Sequence, residues 1–194
     1  MGKICLEAHE KLLTYYYSDA GAEPHFRNWG AYEGVPVIYA IHSGFYPSEM
    51  NGQITQRQSI VEMDKQILAQ LALSDSSVQK VVDLGCGSGA TVMQVAERHP
   101  AIDVWGVTLS PVQARTAHKC VRNRGLNNAH VLLQSYARLG FPENTFDRAW
   151  FVESLSHAAD RDVTIAEAAR VLKPGSLLHI QDTFLLEDIG PNHV

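Results

Sequence analysis

The chain has 194 residues, 45% of them hydrophobic and 19% charged, with 14 Gly and 8 Pro. That composition excludes a disordered or collagen-like protein and allows about one to one and a half domains. A formal net charge of −5 leaves no basic field to neutralise phosphates, so a small-molecule partner is expected rather than nucleic acid.

No apolar run of about 18 residues occurs and the first residues carry no long apolar stretch, so neither membrane insertion nor a secretory signal is expected. No lipid-anchor motif is read at either terminus. Cys5, Cys86 and Cys120 are odd in number and far apart, which fits free thiols in the cytoplasm and argues against a disulfide framework or a metal site.

Between residues 4 and 17, Ile4, Leu6, Leu12, Leu13 and Tyr16 fall at spacings that suit an amphipathic helix, with Tyr15 and Tyr16 expected to pack inward. A polar, irregular stretch follows through Trp29 and Gly34. Ile60, Met63, Ile67, Leu68 and Leu71 recur at helical spacing and predict a helix over residues 55 to 73. Residues 1–74 are read as a helical N-terminal cap or lid.

From residue 75 to 194 strands and helices alternate. Val81 to Leu84 reads as a strand, Ala90 to Arg98 as a helix, and Ile102 to Leu109 as a second strand. Ser110 then stands as N-cap with Pro111 at the first helical position, in a helix that stops near Gly125. Further strands are predicted over residues 129–134, 147–152 and 176–182. A helix from Val163 to Leu172 ends against Lys173-Pro174-Gly175. This alternation predicts an α/β, Rossmann-like open sheet, mainly parallel, with helices on both faces.

Asp83-Leu84-Gly85-Cys86-Gly87-Ser88-Gly89-Ala90 follows the first core strand and opens its helix. Such a loop lets backbone come close to a ligand and aims free N–H groups at it. Its spacing Gly85-x-Gly87-x-x-Ala90 also satisfies the loose dinucleotide fingerprint. Asp83, two residues before the first glycine, would repel a pyrophosphate but favour a ligand bearing an ammonium group. The next strand ends in Val107-Thr108-Leu109, without a carboxylate for ribose hydroxyls. S-adenosylmethionine, with an ammonium and a sulfonium, is therefore favoured, and an NAD-dependent oxidoreductase is the rival.

The glycine loop resembles the first motif of class I S-adenosylmethionine-dependent methyltransferases. Gly106-Val107-Thr108-Leu109-Ser110-Pro111-Val112-Gln113 resembles a segment of cyclopropane fatty acid synthases, tocopherol and sterol methyltransferases and their natural-product relatives. Leu139 to Asp147 and Arg170 to Gly175 resemble the loops before the fourth and fifth strands of that family. The resemblance spans residues 75 to 184. It implies that Asp83, Gly85, Cys86, Gly87 and Gly89 hold the donor, with Thr108, Leu109 and Gln113 at its ribose. Ser135 and Tyr136 stand where many relatives have an Asp for the adenine. His42-x-Gly44-x-Tyr46 resembles the lid of tocopherol-type methyltransferases, which implies that Tyr17, Ser43 and Gly44 lie near the donor. Trp29, His42, Tyr46 and Phe151 are expected in the substrate pocket.

Methyl transfer from a sulfonium is an in-line displacement, so positioning and exclusion of water supply much of the catalysis. Trp150 to His157 ends the fourth core strand and puts Glu153 and His157 at the carboxyl edge of the sheet. In the resembling enzymes a Glu there faces the substrate. Glu153 could take a proton from a hydroxyl or stabilise a carbocation, or it could simply cap a neighbouring loop. His157 is either a second base or a hydrogen-bonding residue.

The implied activity is methylation, at carbon or oxygen, of a small hydrophobic natural product of terpenoid or polyketide type. Only Leu185 to Val194 follow the fifth strand, whereas the family continues with a helix and an antiparallel hairpin. A sheet edge is thus expected to stand open to a second copy or a partner chain, and a donor-binding subunit that needs a partner is the alternative reading.

Overall fold

The computed structural model describes residues 6–21, 31–32, 38–39, 42–48 and 53–183. The N-terminal part contains α1 (Leu6–Tyr16), a two-residue antiparallel ribbon of β1 (Ala31–Tyr32) and β2 (Ile38–Tyr39), and α2 (Gln56–Gln70). The ribbon lies within and beyond the stretch read as irregular, since two-residue strands are too short to carry a period.

The core follows as β3 (Lys80–Leu84), α3 (Ala90–Arg98), β4 (Asp103–Thr108), α4 (Pro111–Asn123), β5 (Ala129–Leu133), β6 (Phe146–Val152), α5 (Arg161–Val171) and β7 (Leu172–Gln181). Its five strands run parallel in the order β5-β4-β3-β6-β7. The chain builds outward from β3 in one direction and then returns to build in the other. The resulting switch point puts a crevice at the carboxyl ends of β3, β4 and β6, where ligands of open α/β sheets bind.

Local chemistry fixes the helix ends. Thr55 caps α2 in a reciprocal box with Gln58, and the Ser110 hydroxyl accepts from the Gln113 N–H at the start of α4. Asp160 accepts from the Val163 N–H and starts α5 two residues before the predicted position. Lys173, Pro174 and Gly175 form a bulge rather than a gap before the last strand. Phe146 pairs with Leu172, and the next registered pair is Arg148 with Leu177.

Alternation along each strand feeds two hydrophobic cores. Val81, Val104 and Trp150 point to one face, under Ile67 and Leu71 near α2, Val92 and Met93 of α3 and Ala117 of α4. Val82, Val107, Ala149 and Phe151 point to the other, with Leu155 and the α5 residues Ala168 and Val171. α2 is thus packed as a layer on the sheet. By contrast α1 has no buried residue; Leu12 is 73% exposed and Tyr15 66%. The expectation that Tyr15 and Tyr16 pack inward is corrected: the inner face of α1 is carried by His9, Glu10 and Leu13 instead.

Candidate active site

The backbone between β3 and α3 turns through three glycines with positive φ, at +94° for Gly85, +53° for Gly87 and +82° for Gly89. A Cβ at Gly85 would lie 2.5 Å from the Ser154 Cβ and 2.8 Å from its hydroxyl. The loop therefore fits against the end of β6 only as glycine. Its N–H groups at Gly85 and Cys86 donate to the Val107 carbonyl of β4, which holds the turn at the mouth of the switch point.

A cleft of about 570 Å³, counting its open mouth, lies above this turn. Gly85 and Gly87 form one wall, Thr108, Leu109, Ser110 and Gln113 a second, and Glu153, Ser154 and His157 a third, with Leu13 and Tyr17 across the opening. The Thr108 hydroxyl donates to the Gln113 side-chain oxygen at 2.9 Å. Ser110 donates to the Tyr17 carbonyl at 2.5 Å and so ties the end of α1 to the start of α4. The Tyr136 hydroxyl donates to the Ser154 carbonyl at 3.0 Å.

Glu153 has φ +46°, a left-handed conformation that costs a non-glycine residue free energy and is characteristic of functional positions. Its N–H donates to the Gln181 carbonyl at 2.7 Å, and its carboxylate accepts the Ser43 N–H at 2.8 Å. The His157 ring lies 3.1 Å from the Tyr17 hydroxyl, and its carbonyl accepts from His9. Burial lowers the His157 pKa, opposed by the charges of Asp182 and Glu153 and aided by His9. The imidazole is therefore neutral near pH 7 and available to accept a proton.

Asp83 is buried beneath the loop, 3% exposed, and its pKa is pushed up to about 7 by burial, against the nearby Trp150 and His42. The Trp150 indole N–H faces it without reaching a hydrogen bond. A cationic group entering from the cleft would restore its charge.

Several expected site residues stand elsewhere. Phe151 is fully buried and packs edge-on against Tyr136 at 5.7 Å, so it backs the wall rather than lining the pocket. The Cys86 side chain points into the core near Gly106 and Val92, and burial raises its thiol pKa far above the ordinary range. Its backbone alone serves the loop. Gly89 is the N-cap of α3 and packs near Ala117, away from the cleft walls. A Cβ on Gly44 would meet Ser59 Cβ at 2.6 Å, so Gly44 is needed for packing on α2. His42 is buried against Asp64 at 2.9 Å, and Tyr46 is 55% exposed outside the cleft. Trp29 lies outside the described residues.

Ser135 lines a second, open cleft beside the first, with Leu109, Pro111, Leu133, Gln134 and Arg138. Its hydroxyl accepts from the Ala137 N–H, while the buried Gln134 side-chain oxygen has no hydrogen-bond partner among the described residues. Gln134 was missed by sequence reading, as were Leu13, Ser110 and Ser154. Among the described residues no helix is long and apolar enough to cross a membrane.

A glycine turn at the switch point of a parallel sheet, with a hydroxyl–amide pair on one side and the carboxylate of a residue with left-handed backbone on the other, defines a Rossmann-like ligand-binding domain. Residues 81–175 match the family described as methyltransferase domain, and this part of the chain resembles the class I S-adenosylmethionine-dependent methyltransferases. It is 32% identical over 149 residues to the O-methyltransferase rstn1 of Aspergillus nomiae, a match covering 75% of this chain and 63% of that protein. With the tocopherol O-methyltransferase of Arabidopsis thaliana it shares 29% identity over 148 residues, 72% of this chain and 42% of the other. The crystal structure of the [4+2]-cyclase SpnF superimposes with a TM-score of 0.69 at 34% identity, covering 78% of this chain and 55% of that one. The chain spans 40% to 63% of the length of the first curated relatives it matches.

Proposed function

We propose that this chain binds S-adenosylmethionine in the cleft above Gly85 and Gly87 and transfers its methyl group to carbon or oxygen of a small hydrophobic natural product of terpenoid or polyketide type. The observation that carries this reading is the convergence of the glycine turn, the Thr108–Gln113 pair and Glu153 on one cleft. The loop presents backbone without Cβ atoms at the floor of the cleft, so a ligand can come close to its N–H groups. The donor would supply an electrophilic methyl on its sulfonium. Gly85 and Gly87 would cradle its amino-acid end, above Asp83; Thr108 and Gln113 would hold the ribose hydroxyls. Gln134 and Ser135 would face the adenine end.

Glu153 and His157, on the third wall, would face the acceptor. A neutral imidazole or a carboxylate there can take a proton from a hydroxyl as the C–O bond to the methyl forms. For a carbon acceptor the Glu153 charge would stabilise the developing cation. The fungal O-methyltransferase and the tocopherol O-methyltransferase among the relatives support an oxygen acceptor. The cyclase with this fold is a reminder that the fold alone does not dictate transfer. Incubating the protein with donor labelled at the methyl carbon and a panel of terpenoid and polyketide metabolites should give labelled products heavier by one methylene. Unlabelled, isomerised products would favour a cyclase instead.

A second feature bears on assembly. Among the described residues β7 pairs with β6 alone, and Leu177 on it is 37% exposed. An open parallel edge suits pairing with a further strand, supplied by a second copy or by a partner chain, and light scattering with and without candidate partners tests that.

A further inference from the structure

The lid residue His42 carries an arrangement that the proposed chemistry does not use. Its ring is 4% exposed. One nitrogen, Nε2, lies 2.9 Å from Oδ1 of Asp64 on α2. The other, Nδ1, lies 2.9 Å from the Ser43 carbonyl. Both partners can only accept, given an ionised Asp64, so both ring nitrogens must donate, which requires the imidazolium. The second oxygen of Asp64 accepts from the Gln94 amide of α3 at 2.6 Å. From Ser43 the path continues, because its N–H donates to Glu153 at 2.8 Å.

We propose that His42, Asp64 and Gln94 are positioning residues, which fix the Ser43 N–H so that it holds the Glu153 carboxylate in place on the acceptor wall. The chain of four hydrogen bonds starts on α3, the helix opened by the glycine loop, and ends on the candidate base. The helix that shapes the donor site thereby also sets the aim of the carboxylate. The groups facing His42 are Asp64 from α2, Asp83 from β3, and Glu153 beyond β6. Burial disfavours the imidazolium, but the bond to Asp64 and its charge, the Ser43 carbonyl and the charge of Glu153 outweigh that cost and raise the His42 pKa above its ordinary 6.5. When His42 loses its proton one of its two bonds must break, and keeping the stronger one to the Asp64 carboxylate releases the Ser43 carbonyl.

The inference rests on Glu153 facing the acceptor, but it has a readout of its own in the exchange rate of the Ser43 amide hydrogen, followed by nuclear magnetic resonance. Glu153→Gln, which weakens the last bond, and His42→Ala should each speed that exchange by about tenfold. Asp64→Asn can keep its contacts by rotation of the Gln94 amide while losing its charge. It should leave the protein folded yet move the onset of fast Ser43 exchange to lower pH than in the wild type. With an acceptor in hand, Asp64→Asn should lower kcat by up to about 10²-fold, most at the alkaline end, with donor affinity unchanged. Ser43 exchange that responds to Glu153→Gln but to neither His42→Ala nor Asp64→Asn would overturn the proposal. So would a loss of donor affinity in step with kcat. Full turnover in Glu153→Gln would instead refute the assignment of Glu153 and leave the exchange measurement to judge the positioning chain.

Discussion

Replacing Gly85 by alanine adds one methyl group where the structure has no room for it. Two costs combine. At φ +94° an L-residue is strained by about 1–3 kcal/mol. The new Cβ would also lie 2.5 Å from the Ser154 Cβ, whereas carbon atoms rest at about 3.5–4.0 Å. The loop and the end of β6 must therefore part by roughly 1 Å, an overpacking that costs a further 1–3 kcal/mol or so. A total of about 2–6 kcal/mol corresponds, for a protein of this length, to a fall in Tm of about 4–24 °C. The displaced turn should also lose the donor, so calorimetric titration with S-adenosylmethionine should show strongly weakened binding. Gly125→Ala is the control: Gly125 also has positive φ, +65°, but no atom within 4 Å of its added Cβ, so only the backbone cost applies. Ser154→Gly in the Gly85→Ala background removes the opposing atoms and should recover part of both losses. A Gly85→Ala protein with wild-type Tm and donor affinity would refute the close-approach argument.

Glu153→Gln should retain donor binding and lose turnover by about 10²-fold or more; unchanged turnover would reduce Glu153 to a latch on Ser43. Burial holds the His157 pKa below its ordinary 6.5 despite Asp182 and Glu153, so base-dependent turnover should be full above pH 6.5 and fall as pH drops through the lowered value. A pH–rate profile of His157→Ala that keeps this acid limb would contradict the assignment. Asp147 accepts from the N–H groups of Gln79 and Lys80 and from Lys173; its pKa is raised by burial but lowered more by Lys173 and the two N–H groups. Its contribution to stability is thus present above pH 3.8 and lost as pH falls through its depressed folded value. Asp147→Ala should cost about 1–3 kcal/mol at neutral pH, measured by urea denaturation.

Strong local signals in the sequence were faithful guides to the fold. Ala90 to Arg98, the Ser110-Pro111 helix start and the parallel alternation stand as read, because caps, glycine turns and helical periods act over a few residues. The walls of the cleft were legible for Gly85, Gly87, Thr108, Gln113, Glu153 and His157, which cluster at strand ends. Phe151 was not, since a strand buried on both faces is apolar throughout and its parity does not reveal which side meets the ligand; nor was Cys86, whose side-chain direction in the loop is set by tertiary packing against Gly106 and Val92. Helical spacing in α1 likewise fixed the helix but not the covered face, and Tyr15 points outward. The Asp160 cap starts α5 two residues before Val163, because a cap fixes the helix start independently of the apolar period. The His42–Asp64 pair joins residues 22 positions apart, and the left-handed Glu153 has no sequence signature; both arise from tertiary packing alone.

The central claim is that the cleft between the glycine turn, Thr108–Gln113 and Glu153 is a methyl-donor site. Calorimetric titration of the folded protein with S-adenosylmethionine, repeated with its demethylated product and with NADH, tests it most directly. Saturable binding of both sulfur ligands, at about micromolar Kd, with no binding of NADH, is the predicted result; a folded protein that binds neither sulfur ligand, or that binds NADH in their place, would contradict it.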